Sequence, residues 1–156
     1  MLAVAGLTYR PIDPIADVAF AYENYLAACV ASFGSDETAL SRPRYRAWLR
    51  SRVEEFPDGH VFALLGETRI GQLELQAPYG LSTGYINLYT VAAPFRGMGF
   101  GKLMHAFVEK YFRAWEATEI DLHVAPANEV AVNLYRALGY RYVRDEGKQW
   151  RMSLAL

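Results

Sequence analysis

The sequence predicts a mixed α/β fold, one sheet with helices packed on its faces. Three observations lead there. Apolar residues recur at helical spacing from Ile15 to Phe33 and again from about Gly101 to Ala117. Between those stretches, from His60 to Val91, the hydrophobic period shortens to that of strands. Finally, a glycine-rich loop, Arg96-Gly97-Met98-Gly99-Phe100-Gly101-Lys102, separates a predicted strand from a predicted helix.

Each element has its own signal. Residues 2–10 read as a first strand, closed by Pro11 and the turn-forming Asp13-Pro14. Val18, Tyr22, Tyr25 or Leu26, Cys29 and Phe33 are the apolar residues at helical spacing in the first helix, which Gly34-Ser35-Asp36 ends. A more polar helix over Pro43 to Glu55 buries Tyr45, Trp48, Leu49 and Val53, and Pro57-Asp58-Gly59 turns the chain. His60 to Leu65 is a short apolar strand, and Gly66-Glu67-Thr68 a hairpin loop. From Ile70 to Gln76, Gly71, Leu73 and Leu75 alternate with Gln72, Glu74 and Gln76, which predicts a strand buried on one face only. After a loop with Pro78, Gly80 and Gly84, Tyr85 to Val91 forms the central strand. The helix after the glycine loop is apolar at Leu103, Met104, Phe107, Val108, Tyr111, Phe112 and Trp115. Ile120 to Val124 is a strand and Asn128 to Leu138 a helix that Gly139 caps. Tyr140 to Arg144 and Gln149 to Leu154 close as a hairpin through Glu146-Gly147. The order is β-α-α-β-β-β-α-β-α-β-β, without repeat or linker, so residues 1–156 are expected to form a single domain.

Composition narrows the function. Sixteen basic and seventeen acidic residues give a net charge of −1, which argues against nucleic acid as a partner, since that needs a basic field. The single Cys29 excludes an intrachain disulfide and reads as a buried, inert thiol. With no apolar run of membrane-spanning length and no signal-peptide pattern at the N-terminus, a cytoplasmic chain without a membrane partner is expected.

The glycine loop carries the chemistry. Three glycines on alternate positions allow positive φ and close approach of a ligand to the backbone. Behind them, the unpaired N–H groups of a helix's first turn and its dipole favour an anion, above all a phosphate. It is not a P-loop, for Arg96 and Leu103 stand where that motif needs Gly and Ser or Thr. Nor is it a dinucleotide fingerprint, which would need Gly at Lys102.

Val91-Ala92-Ala93-Pro94-Phe95-Arg96-Gly97-Met98-Gly99-Phe100-Gly101 resembles the strand-loop-helix of the GCN5-related N-acetyltransferase (GNAT) family, with its Arg/Gln-x-x-Gly-x-Gly/Ala signature. Asn128-Glu129-Val130-Ala131-Val132-Asn133-Leu134-Tyr135-Arg136-Ala137-Leu138-Gly139-Tyr140 resembles the family's second signature, while the N-terminal third matches in shape only. The resemblance implies a mostly antiparallel sheet that splays between its two central, parallel strands. It also implies acetyl-CoA as co-substrate and no metal; His60 and His105 show no metal-ligand spacing either. By resemblance, the amides of Gly97, Met98, Gly99, Phe100, Gly101 and Lys102, with Arg96 opening the loop, would cradle the pyrophosphate. Val91 would offer its backbone N–H to the acetyl carbonyl or the pantetheine arm. Asn128 and Tyr135, seven residues apart, return to within about 20° of one helix face, so both can meet the pantetheine and the sulfur.

The family reaction is direct attack of an amine on the thioester. Tyr135, a phenol protonated at pH 7, is the candidate acid for the departing sulfur. The base is less direct: where many members carry a Glu on the central strand, this chain has Asn87 and Tyr89. His123 and Glu74 are the substitutes. The acceptor would be a primary amine of a small molecule, amino acid or peptide, facing residues 22–45 and the 77–84 loop. A homodimer is left open. The missing strand carboxylate also leaves open a non-catalytic acyl-CoA-binding regulatory domain.

Overall fold

The computed structural model of the chain describes residues 6–77 and 82–156. Its elements are β1 (Thr8–Pro11), α1 (Val18–Phe33), α2 (Arg42–Glu55), β2 (His60–Leu65), β3 (Thr68–Gln76) and β4 (Thr83–Val91). A 3-10 turn (Ala93–Phe95) follows, then α3 (Phe100–Ala114), β5 (Glu119–Val124), α4 (Glu129–Ala137), β6 (Arg141–Asp145) and β7 (Trp150–Ala155). The order is the predicted one, with the 3-10 turn added.

Boundaries differ where backbone chemistry overrides the apolar pattern. The first strand is short; its predicted residues 2–5 lie outside the described residues, as do residues 78–81 of the loop before β4. Pro11, expected to end that strand, is its last member, tolerated because β1 is an edge strand. Helix α3 stops at Ala114 rather than Ala117 because Glu116 turns to φ 58° and Ala117 N–H closes back on Phe112 C=O at 3.0 Å.

The seven strands lie in the order β1-β2-β3-β4-β5-β7-β6. All neighbours are antiparallel except β4 and β5, which run parallel. One apolar cluster packs Met104, Val108 and Phe112 of α3 and Val132 of α4 against Leu73, Ile86, Ile120 and Leu122. A second packs Val18 and Ala21 of α1 with Tyr45 and Leu49 of α2 over Phe62. Helices therefore cover both faces as far as β4, whereas β6 is exposed along its whole length.

The alternation in β3 misleads on one point. Gln72 and Glu74 are as buried as Leu73 and Leu75, because α2 covers their face. Burial of polar groups is offset by pairing: Tyr45 Oη donates to Glu74 Oε1 at 2.8 Å, Gln72 Nε2 donates to the same oxygen at 3.0 Å, and Asn24 Nδ2 donates to Gln72 Oε1 at 2.8 Å.

Candidate functional site

Strands β4 and β5 pair from Thr83↔Glu119 to Ile86↔Leu122 and then part, although β4 continues to Val91 and β5 to Val124. The parting begins at a bulge. Glu74 faces Leu88 but Leu75 faces Ile86, so Asn87 is an extra residue on β4. A bulge bends and twists its strand, here away from β5. Beyond it, Ala92 N–H bonds Ile70 C=O on β3 at 2.7 Å. Alternation along an extended strand then points Val91 N–H the other way, into the fork. The Val91 carbonyl is taken by Arg96 Nε at 2.9 Å, which ties the loop back to its strand.

A cavity of about 700 Å³ fills the fork and runs to the glycine loop. Gly97 and Gly99 hold φ of 74° and 89°, a conformation that side chains rarely adopt, and a Cβ on either would meet nothing within 4 Å. The loop is thus open to a ligand. Gly99 is the N-cap of α3, and Leu103 N–H makes the first bond of that helix, to Gly99 C=O at 3.2 Å. The N–H groups of Phe100, Gly101 and Lys102 precede it and have no helical partner. Gly101 serves packing instead: a Cβ there would sit 3.1 Å from Leu134 of α4. Donors, helix dipole and open glycine backbone fit a pyrophosphate at one end of the cavity, and the fork fits an extended arm beside β4.

Tyr135 stands in the cavity wall, 7% exposed, edge-on to Tyr89 with centroids 5.9 Å apart and against Tyr140 at 5.6 Å. Burial, and then the neighbouring Tyr85, push its phenol above the usual range, so it stays protonated. Tyr89 Oη donates to Gly101 C=O and fastens the start of α3 to β4. Asn128 lines the cavity and also caps α4, its Oδ1 accepting from Ala131 N–H at 3.3 Å. His123, on the diverging end of β5, lies between Tyr85 Oη at 2.6 Å from Nδ1 and Glu146 Oε2 at 2.7 Å from Nε2. Its bond and the guanidinium of Arg144 hold the Glu146 carboxyl below its ordinary range.

Val91, Arg96, Gly97, Gly99, Phe100, Gly101, Lys102, His123, Asn128 and Tyr135 all line this cavity, so the structure brings these expected residues together. Met98 is not in the cavity wall and is 67% exposed, while the expectation for it concerned its backbone N–H. Glu74 is the reading that must be corrected. It is 2% exposed, bonded to Tyr45 and Gln72 on the α2 face, and absent from the cavity wall. Burial first of all raises its carboxyl to about 7, with the bonds from Tyr45 and Gln72 pulling the other way. Cys29, expected to be buried, is half-buried on the α1 wall, where burial raises its thiol. Tyr85 and Glu146 were missed: they meet His123 across 38 and 23 residues, a separation that no local motif encodes. Among the described residues, no group of three or more His, Cys, Asp or Glu could hold a metal ion, and no helix is long and apolar enough to cross a membrane.

The model of the acetyltransferase (GNAT) family matches residues 20–140. No curated protein sequence matches the chain. Among solved structures, the chain is similar to a spermidine N-acetyltransferase chimera from Vibrio cholerae and hSSAT, at TM-score 0.73 and 20% identity, with 97% of this chain and 96% of that one covered. It is similar to a ribosomal-protein-alanine N-acetyltransferase from Brucella melitensis at TM-score 0.72 and 18% identity, covering 96% and 100%. A putative acetyltransferase from Salmonella typhimurium, solved with its cofactor acetyl-CoA, is similar at TM-score 0.70 and 19% identity, covering 97% and 95%.

Proposed function

The chain belongs to the acetyltransferase (GNAT) family, and on that footing we propose that it is an acetyl-CoA-dependent N-acetyltransferase, one cytoplasmic domain over residues 1–156, acting on a primary amine. The observation that carries this reading is the fork. Two parallel strands part beside a helix N-terminus with unpaired N–H groups, and a buried phenol closes the wall between them.

The residues divide the work by position. Phe100, Gly101 and Lys102 offer N–H groups to the pyrophosphate, and Gly97 and Gly99 let it come close. Asn128 and the β4 edge from Asn87 to Val91 hold the pantetheine arm, and Val91 N–H meets the acyl oxygen. Acetyl-CoA, when bound, supplies a thioester already activated toward amines. Tyr135 Oη, a phenol protonated at neutral pH and pushed further that way by burial, holds a proton for the departing sulfur. His123 receives the proton of the amine; Glu74, buried between β3 and Tyr45 of α2 and absent from the cavity wall, does not.

The acceptor binds at the α1 side of the fork, where Tyr25, Ala28, Ser32 and Phe33 face the cavity. A thiol-release screen with acetyl-CoA tests the reading, using spermidine, an alanyl peptide, a lysyl peptide and 2-phenylethylamine as acceptors. At least one should release thiol in proportion to acetylated amine. If none does while acetyl-CoA still raises the melting temperature, the chain is a binding domain and not an enzyme.

A further inference from the structure

We propose that Glu74 is a positioning residue for the acceptor: through Tyr45 and Gln72 it fixes the half of α1 that walls the acceptor side of the cavity. The proposal rests on the N-acetyltransferase reading.

That half of α1 has little apolar burial to hold it. The buried residues of α1 are Val18 and Ala21, both in its first turn. From Tyr22 to Phe33 no residue is fully buried, yet Tyr25, Ala28, Ser32 and Phe33 line the cavity. Burial therefore anchors the start of the helix and leaves the wall to directional bonds.

Two arms supply those bonds, and both end on Glu74 Oε1. In one, Asn24 Nδ2 donates to Gln72 Oε1 at 2.8 Å, and Gln72 Nε2 donates to Glu74 Oε1 at 3.0 Å. In the other, Tyr45 Oη donates to Glu74 Oε1 at 2.8 Å, and the Tyr45 ring stacks on Tyr25 with centroids 4.9 Å apart. Asn24 and Tyr25 are adjacent in the chain, so β3 and α2 grip α1 at the same point. Leu40, just before the Ser41 cap of α2, completes the grip. Its N–H donates to Tyr25 Oη at 2.9 Å, and its C=O accepts from Tyr22 Oη at 2.8 Å.

A carboxyl is a costly group for this place. Burial disfavours it, and the cluster beside it, with Ile12, Val18, Ala21, Leu49 and Phe62, is apolar. Apolar side chains filling the same space would hold the layers together about as well. Apolar contact is non-directional, however, and lets a helix slide or rotate over a sheet. Two donors converging on one oxygen allow one setting of Tyr45 and of Gln72, and hence one setting of Tyr25 and Asn24. The Glu74 carboxyl contributes that setting while touching neither acceptor nor cofactor.

Cys29 offers a test that needs no acceptor. It is the only thiol of the chain and stands on the cavity wall one turn beyond Tyr25. Its rate of alkylation by iodoacetamide reads how firmly α1 is seated. Asn24→Ala and Tyr45→Phe each cut one arm and should speed alkylation about 3–10-fold. Glu74→Leu removes the shared acceptor and should exceed both. Glu74→Gln keeps an oxygen there and should match the wild type. In the thiol-release assay, with the most reactive amine of the screen, Asn24→Ala and Tyr45→Phe should raise the KM for the amine about 3–10-fold. Their kcat and their KM for acetyl-CoA should stay within about 2-fold, a split that general loss of stability would not produce. Glu74→Gln should keep the wild-type KM. Wild-type alkylation rates in both Asn24→Ala and Tyr45→Phe overturn the proposal, and so does a Glu74→Gln chain that alkylates as fast as they do. Should Glu74→Leu fail to fold, the other three variants decide. Thiol release absent in the wild type with every amine counts against the acetyltransferase reading, and the alkylation rates still decide what seats α1.

Discussion

Replacing Tyr135 by Phe keeps the ring that packs on Tyr89 and Tyr140, so stability should change by less than about 1 kcal/mol. The hydroxyl acts when charge develops on sulfur. Its loss should therefore lower kcat about 10–100-fold, toward the small end for a general acid because a thiolate leaves readily, with little change in acetyl-CoA affinity. Steady-state kinetics beside calorimetry separate the two. Glu74 makes a different prediction, about pH. Its folded carboxyl is raised to about 7 by burial, above an unfolded value near ~4.3. The folded chain then binds more protons than the unfolded chain between those values, so this group makes stability fall as pH rises through that window. Glu74→Gln cannot ionise and should be more stable than the wild type at pH 8, on the order of 1–3 kcal/mol. The gap should close near pH 4. Melting curves at both pH values check it, and a gap independent of pH would mean that Glu74 does not titrate in this window.

At the scale of elements, the glycine loop separates two roles that the sequence shows as one pattern. Gly99→Val forces a side chain into φ 89°, where glycine is at home, and places bulk in the open cradle. It should abolish measurable acetyl-CoA binding in calorimetry while destabilising the fold by only about 1–2 kcal/mol. Gly101→Val should act through packing, pushing Leu134 and prising α3 from α4, with a loss of about 1–3 kcal/mol visible in the melting temperature. The two variants should rank oppositely in binding loss per unit of stability lost. That distinction was not legible in the sequence, where alternate glycines look equivalent. The elements themselves were legible, because periods of 3.6 and 2 follow from which face is buried. The bulge at Asn87 was not, since it is a mismatch of register between two strands and leaves no mark in either strand alone.

For the whole molecule, the sequence carried the order of elements, the loop and the α4 face with Asn128 and Tyr135, all of which are local patterns. It could not carry what the sheet assembles at long range. Glu74 looked solvent-facing by alternation and is buried because α2 closes over it. His123 looked like an isolated ring and is held by residues from β4 and from the hairpin between β6 and β7. Cys29 looked like core and stands on the cavity wall. Its position allows one direct contrast between transfer from thioester to amine and transfer by way of the protein. Acetyl-CoA labelled in the acetyl group should be mixed with the enzyme and an acceptor amine from the screen, and both amine and protein weighed by mass spectrometry through the first turnovers. Direct transfer predicts label on the amine nitrogen alone, in step with thiol release, and an unmodified protein at every time. Labelled protein appearing first, on Cys29 or elsewhere, and then losing its label to the amine would contradict the account.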